Sequence, residues 1–440
     1  MTEPGMFDEL LEWIGKSNRI LIKKLSRNDC SWADDPGKHQ YGFYIPSDVR
    51  KSGFLPPLQN ENLNKPHIFE ATLPTLWPAT GETKISKLRH WANKGAEMHF
   101  TRVPKSEFSG LAPASLLIGG ELKNPTGREH HWFATVDSAS EDAELIESVF
   151  DLPADFHFQL FDPADALRVW RDDAEQLIEE LSDALRSNRL EALIASVSKL
   201  PSPAFLAASA QAEYLRLHGY EDLDPFKLPA PGDAIMKISR DIEYSLYKQV
   251  ERRHRAAEVL RILVGGGGER GGADLVAAIV KGYPALDGTF LSASQHRKSR
   301  GGRSFEQHIG RLLTDGRIPF EEQVVTGSRR PDFVLPNLKS FKSKTRSFDE
   351  ALILAAKTTL RERWKQVAME RLNCGLFLAT VDDRVAANTI LDMGAHGICM
   401  VVPESLKKAN ETCYGGMENV ITFREFFDEE VRSKRLHYWQ

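Results

Sequence analysis

Along the first third of the chain, apolar residues come in short runs such as Arg19-Ile20-Leu21-Ile22-Lys23 and Tyr41-Gly42-Phe43-Tyr44-Ile45. Proline and glycine interrupt them at Pro36-Gly37, Pro46, Gly53, Pro56-Pro57, Pro78 and Gly81. Short β-type runs bounded by turn residues predict a strand-rich region from Asn18 to about Leu122, of the kind that closes into a small barrel. The turn Asn124-Pro125-Thr126-Gly127 separates Leu116-Leu117-Ile118 from His131-Trp132-Phe133-Ala134-Thr135-Val136, which reads as a strand pair.

The rhythm changes after Asp137. Leu167, Trp170, Ala174, Leu177 and Leu181 recur at helical steps, predicting a helix over Ala164 to Leu185. Pro201, Pro203 and Leu228-Pro229-Ala230-Pro231-Gly232 punctuate the middle, and a further helix is expected from Asp233 to Leu263. Gly265 to Gly272 superficially fits a phosphate loop, but it lacks the Lys-Ser/Thr ending and follows a helix, so a connector is the better reading. From Gly301 helices and apolar strands alternate. Helices are predicted over Ser304–Leu313, Leu360–Leu372, Arg384–Met393 and near Phe423–Val431. Strands are predicted over Phe320–Val325, Phe333–Leu335, Leu352–Lys357, Gly375–Val381 and Gly397–Val402. Such alternation implies a mixed sheet covered by helices on both faces.

A length of 440 residues leaves room for about two or three domains. With 41% hydrophobic and 27% charged residues, real cores form and fibrous or membrane classes are excluded. No apolar run approaches the roughly 20 residues of a membrane span, and the amino terminus has no signal-type core. Cys30, Cys374, Cys399 and Cys413 are far apart, which argues against a zinc knuckle or a disulfide framework and makes a reduced cytoplasm the expected location.

The net charge of −5 does not advertise a nucleic-acid binder, but its distribution does. Ser294 to Arg346 holds 12 Lys/Arg against 5 Asp/Glu, and Asp137 to Asp183 holds 15 Asp/Glu against 2 Lys/Arg. Solvated faces explain both blocks for an arbitrary protein. The basic block, however, surrounds a candidate site and suits phosphate contacts. The acidic block, if it opposed the basic one, would compete with DNA.

The candidate chemistry lies in Arg330-Pro331-Asp332-Phe333-Val334 and Ala355-Ala356-Lys357. Asp332 enters one apolar strand and Lys357 ends another. An acid that holds a hard cation, beside a lysine that polarises water, is what phosphodiester hydrolysis needs. Taken alone, Asp332 fits an Asx turn. Lys357 is harder to explain structurally, because an unpaired lysine closing Ala-Leu-Ile-Leu-Ala-Ala is costly to bury. Glu306 and Glu370 fit surface helix positions as well as site acids.

Lys357 followed by the displaced Glu370, together with Ser304-Phe305-Glu306-Gln307-His308, Arg330-Pro331-Asp332-Phe333 and Lys357-Thr358-Thr359-Leu360-Arg361-Glu362-Arg363-Trp364-Lys365-Gln366, resembles the EcoRII-like family of two-site (type IIE) restriction enzymes. Most nucleases of the PD…(D/E)xK class carry an acid two residues before the lysine, where this chain has Ala355. His39-Gln40-Tyr41-Gly42-Phe43-Tyr44-Ile45-Pro46-Ser47 resembles the same family's effector domain, a pseudobarrel related to plant transcription-factor domains.

The resemblance implies an effector DNA-binding domain over 1–165, a helical connector over 166–199 and an α/β/α endonuclease domain over 200–440. It implies Mg²⁺ held by Asp332, Glu370 and Glu306, with Lys357 catalytic beside them. Arg361, Glu362 and Arg363 would read G·C pairs at a CC…GG type of site, since arginine suits guanine acceptors and glutamate the cytosine amino group. The competing role for Glu362 is a capping box with Thr359. His39, Lys94, Glu97 and Arg102, with the basic stretch Lys84 to His90, would grip effector DNA. The implied partners are two copies of a double-stranded DNA site, a second subunit in a homodimer, and a cognate DNA methyltransferase in the same system. A modification-dependent or structure-specific nuclease and a non-cleaving DNA-binding regulator are the alternatives.

Overall fold

The structure is a computed structural model that describes residues 6–34, 41–60, 64–93, 98–125, 130–138, 140–150, 152–153, 155–164, 178–184, 186–187, 189–197, 201–264, 281, 303–323, 331–360, 364 and 373–439. The chain forms two compact units. One comprises Met1–Arg171 with Asp383–Ala387 and Lys408–Gly416, and the other Asp172–Asp382, Asn388–Lys407 and Met417–Gln440.

The first unit is built on eight strands: β1 (Ser17–Lys24), β2 (Phe43–Ile45), β3 (Ile68–Trp77), β4 (Glu82–Trp91), β5 (Met98–Thr101), β6 (Leu116–Leu122), β7 (His131–Val136) and β8 (Phe158–Phe161). Their order is β2-β5-β4-β3-β7-β6-β1-β8, with β2 and β8 as edges. All neighbours are antiparallel except β3 and β7, which run parallel through Thr75↔His131 and Leu76↔Trp132 alone. The strand pair expected around Asn124 is present as β6 and β7, paired from Leu116↔Val136 to Glu121↔His131.

Central strands here are buried on both faces, which follows from the period of two. Leu21, Leu117 and Phe133 enter a core with Phe43, Trp77, Leu88 and Phe100. Their neighbours Ile20, Ile22, Leu116, Ile118, Trp132 and Ala134 enter a second core, covered by Leu10 and Ile14 of helix Met6–Gly15 and by Ala143 and Ile146 of helix Glu141–Val149. Each large apolar side chain so buried contributes about 1.5–3 kcal/mol. Gly42 enters β2 at φ 101°, where a Cβ would stand 1.9 Å from the carbonyl oxygen of Phe100, so no other residue fits. The buried Asp29 carboxylate accepts Ser26 N on one oxygen and Tyr44 N on the other, each at 2.8 Å, and fixes the chain on both sides of residues 35–40.

Lys84 to His90 lies inside β4 and is not a free arm. Lys87 and Arg89 both pair with Glu70 across the β3–β4 ladder, and Lys84 pairs with Glu82. Cross-strand pairing therefore accounts for Lys87 and Arg89, while the Lys84–Glu82 pair lies within β4.

The second unit carries β9 (Glu321–Glu322), β10 (Phe333–Leu335), β11 (Leu352–Ala356), β12 (Gly375–Ala379), β13 (Ile398–Val402) and β14 (Val420–Thr422), in the order β14-β13-β12-β11-β10-β9. β11 to β14 are parallel and β9 to β11 antiparallel, so the sheet is mixed. All of β11 is buried, the usual state of a strand inside a parallel sheet. β9 lies within the predicted run Phe320–Val325, whose last two residues lie outside the described residues. Gln323, with a left-handed backbone at φ 52°, still donates its N–H to Asp332 O.

Helix Pro203–His218, not foreseen from the sequence, carries Pro203 in its first turn, with Ser202 accepting Phe205 N at its N-cap. The helix expected over 233–263 is present as Pro231–Met236, a π-type segment Lys237–Ile242 and Glu243–Val264. A helix over 303–315 carries Glu306. The fully buried His308 anchors it, facing Glu243 at 2.8 Å through Nε2 and Gln211 at 3.0 Å through Nδ1. The sequence readings over 165–177, 265–272, 361–363 and 365–372 lie outside the described residues. Among the described residues no helix is long and apolar enough to cross a membrane.

Candidate active site

The register of β10 on β11 explains why Asp332 and Lys357 meet. Phe333 pairs with Leu354, so Asp332 just before β10 lies level with the end of β11. One carboxylate oxygen of Asp332, Oδ2, accepts Ala356 N at 2.8 Å and Lys357 Nζ at 2.7 Å. Lys357 Nζ also donates to Ala356 O at 2.9 Å. The lysine that seemed costly to bury is therefore paired, with its side chain 24% exposed.

Glu306 reaches the same place from the helix over 303–315. Gln323 Nε2 bridges the Glu306 carboxyl to that of Asp332, donating to Glu306 Oε2 at 2.9 Å and Asp332 Oδ1 at 3.3 Å. Gln323 N also donates to Asp332 O at 3.0 Å. Burial first, and the neighbouring Asp332 charge second, push the Glu306 carboxyl up to about 7. Among the described residues, two carboxyls bridged by one amide, with one lysine paired to them, form a half-neutralised donor set. Hard oxygen ligands in that arrangement fit a divalent cation such as Mg²⁺. Among the described residues no group of three His, Cys, Asp or Glu forms a metal cluster.

Of the residues singled out in the sequence, Glu306, Asp332 and Lys357 come together. Glu370, Arg361, Glu362 and Arg363 lie outside the described residues, as do His39, Lys94 and Glu97. Arg102 is exposed immediately after β5, with a left-handed backbone at φ 60°.

Two contributors were not found from sequence. Gln323 carries no motif, and its role depends on the left-handed turn after β9. Asp382, after β12, is buried and accepts Leu360 N at 2.8 Å, fixing the chain three residues beyond Lys357. Only a long-range contact reveals it. A carboxylate aimed at the first free amide of an expected helix is the one sequence-level hint.

Residues 279–427 match the family model described as EcoRII C terminal. The type II restriction enzyme EcoRII of Escherichia coli is 25% identical over 424 residues, covering 91% of this chain and 91% of that relative. The type II restriction enzyme SsoII of Shigella sonnei is 29% identical over 157 residues, covering 33% of this chain and 50% of that relative. A solved structure of metal-depleted Ecl18kI in complex with uncleaved DNA aligns at a TM-score of 0.45 and 21% identity, over 56% of this chain and 84% of the other. The similarity along 91% of the chain, joined to an Asp–Lys pair at the strand ends of a mixed sheet, supports a type II restriction endonuclease. Within that class the chain is similar to EcoRII, whose C-terminal family model it matches over residues 279–427.

Proposed function

We propose that this protein is a Mg²⁺-dependent endonuclease that cuts both strands of DNA at a specific G·C-bounded site of the CC…GG type. Residues 200–440 form the nuclease domain, which acts as a homodimer with each subunit cutting one strand. Residues 166–199 connect it to an effector domain over 1–165, a pseudobarrel that binds a second copy of the site. A cognate methyltransferase in the same system would protect the host site.

The observation that carries this reading is the Asp332–Lys357 contact with Glu306 bridged beside it through Gln323. Asp332, Glu306 and Glu370 would hold the cation. When bound, Mg²⁺ supplies charge neutralisation at the phosphate and lowers the pKa of water. Lys357 orients the attacking water and donates to a phosphate oxygen as negative charge grows there. Gln323 keeps the two carboxyls at a fixed separation. In-line attack by water forms a new P–O bond and breaks the bond to the 3′ oxygen, leaving a 5′ phosphate and a 3′ hydroxyl. Arg361, Glu362 and Arg363 contact base edges in the major groove, and His39, Lys94, Glu97 and Arg102 contact effector DNA.

Incubation with unmethylated and methylated phage DNA in Mg²⁺, followed by mapping of the ends, tests the reading. Discrete fragments from unmethylated DNA, lost on chelation, support it. Cutting confined to methylated DNA, cutting without common ends, or binding without cutting would each overturn it in favour of another function.

A further inference from the structure

The first unit contains a cavity of about 640 Å³, within the range of small-molecule sites. It opens where β3 parts from β7. The two strands pair only at Thr75 and Leu76, and the preceding residues Thr72 to Pro74 line the opening. Leu55, Pro56, Leu73 and Pro74 provide an apolar wall. Arg50 and Lys51, from the last turn of helix Ser47–Lys51, and His130 before β7 provide the polar end.

Among the described residues, Arg50 and Lys51 have no carboxylate partner at that end. The carboxylate lining the cavity, Glu121, is held by Arg19 Nε at 2.8 Å. Arg19 also donates to the carbonyls of Ser52 at 3.0 Å and Gly53 at 2.7 Å, which secures the cavity's rim. His131 Nε2 donates to Phe54 O at 2.6 Å, and burial lowers its pKa, so it adds a neutral ring and no charge. Arg50 has a buried Nε with no hydrogen-bond partner among the described residues. That Nε is shut from the cavity, so the part of the guanidinium that lines it is the terminal fork, whose planar geometry matches phosphate oxygens.

We propose that this cavity binds a nucleoside 5′-phosphate, free or at the end of a DNA strand, with the phosphoryl group on Arg50 and Lys51 and the base and sugar against the apolar wall. The site shares no residue with the Asp332 site or with His39, Lys94, Glu97 and Arg102, so it stands independently of the activity proposed above.

The test is isothermal titration of the full chain carrying Lys357→Ala, in chelator, so that neither the lysine nor a bound cation at the Asp332 site contributes. Deoxycytidine 5′-monophosphate should saturate one site per chain and bind at least about tenfold tighter than deoxycytidine or inorganic phosphate. Arg50→Gln should weaken it by about tenfold or more. So should Lys51→Glu, whose exposed position keeps the fold intact if the Arg50 variant melts early. A 5′-phosphorylated trinucleotide that binds tighter than the mononucleotide identifies strand ends as the source, and one that binds more weakly identifies free nucleotide. No saturation at millimolar nucleotide overturns the proposal. Equal binding of deoxycytidine, or full affinity in a folded Lys51→Glu protein, overturns it as well.

Discussion

Asp332 and Lys357 are joined by a 2.7 Å ion pair whose acceptor oxygen also takes the amide of Ala356. That oxygen is fixed from two directions by the strand that ends in the lysine, and a change to either partner disturbs both. Asp332→Ala and Lys357→Ala should each reduce cleavage in Mg²⁺ to background while DNA binding is kept, because both residues act at the phosphate. Gel-shift and cleavage assays on the same preparations check this. Near-normal cutting by either variant would mean the reaction occurs elsewhere. Glu370→Ala should also lose activity.

Gln323 tests the geometry apart from the charges. Its side chain touches both carboxyls but carries no charge and is a poor cation ligand beside them. Removing such an outer partner typically costs about 10–100-fold in metal affinity or activity. Gln323→Ala should therefore cut more slowly by that factor at limiting Mg²⁺, with part of the loss recovered at high Mg²⁺. Unchanged Mg²⁺ dependence would reduce Gln323 to a turn residue.

The contrast between these residues shows what a sequence makes legible. Asp332 and Lys357 stand at the ends of apolar runs, so binary pattern alone exposes them as polar groups on strand ends. The two-sided burial of β1, β6 and β7 is equally visible as continuous apolar stretches. Gln323 is invisible because its effect depends on its own left-handed backbone and on the register that brings Asp332 beside it. Asp382 is invisible because its partner, the amide of Leu360, is a backbone group 22 positions away. The cations of Lys84 to His90 look like a free DNA-gripping stretch in sequence, and only the β3–β4 register brings Glu70 against Lys87 and Arg89.

Recognition is tested at the residues just after Lys357. Arg361→Ala and Arg363→Ala should each lose about 1–3 kcal/mol of discrimination at a G·C pair, read as relative cleavage of single-base site variants. Thermal stability should change little. Glu362→Ala separates its two candidate roles. A lower melting temperature with unchanged site preference means the glutamate caps a helix, whereas relaxed preference at unchanged stability means it reads a base.

A final prediction concerns stability and pH in the first unit. Glu107 is buried, and one of its carboxylate oxygens, Oε1, has no hydrogen-bond partner among the described residues. The other, Oε2, accepts a long bond of 3.4 Å from Thr135 Oγ1, a hydroxyl that donates to the Glu107 carbonyl at 2.6 Å. Burial raises its pKa above the ordinary value near 4.5, against the smaller opposing effect of Thr135. Between the unfolded pKa and the raised folded one, the native state holds more protons than the unfolded chain, so stability falls as pH rises through that window. Glu107→Gln removes the ionisation and should remove that fall. In urea melts followed by tryptophan fluorescence, the variant's stability relative to the parent should increase from about pH 4 upward and level off above the folded pKa. A stability difference that does not change with pH, or one that turns against the glutamine as pH rises, would show that the Glu107 carboxyl is accommodated as an ion.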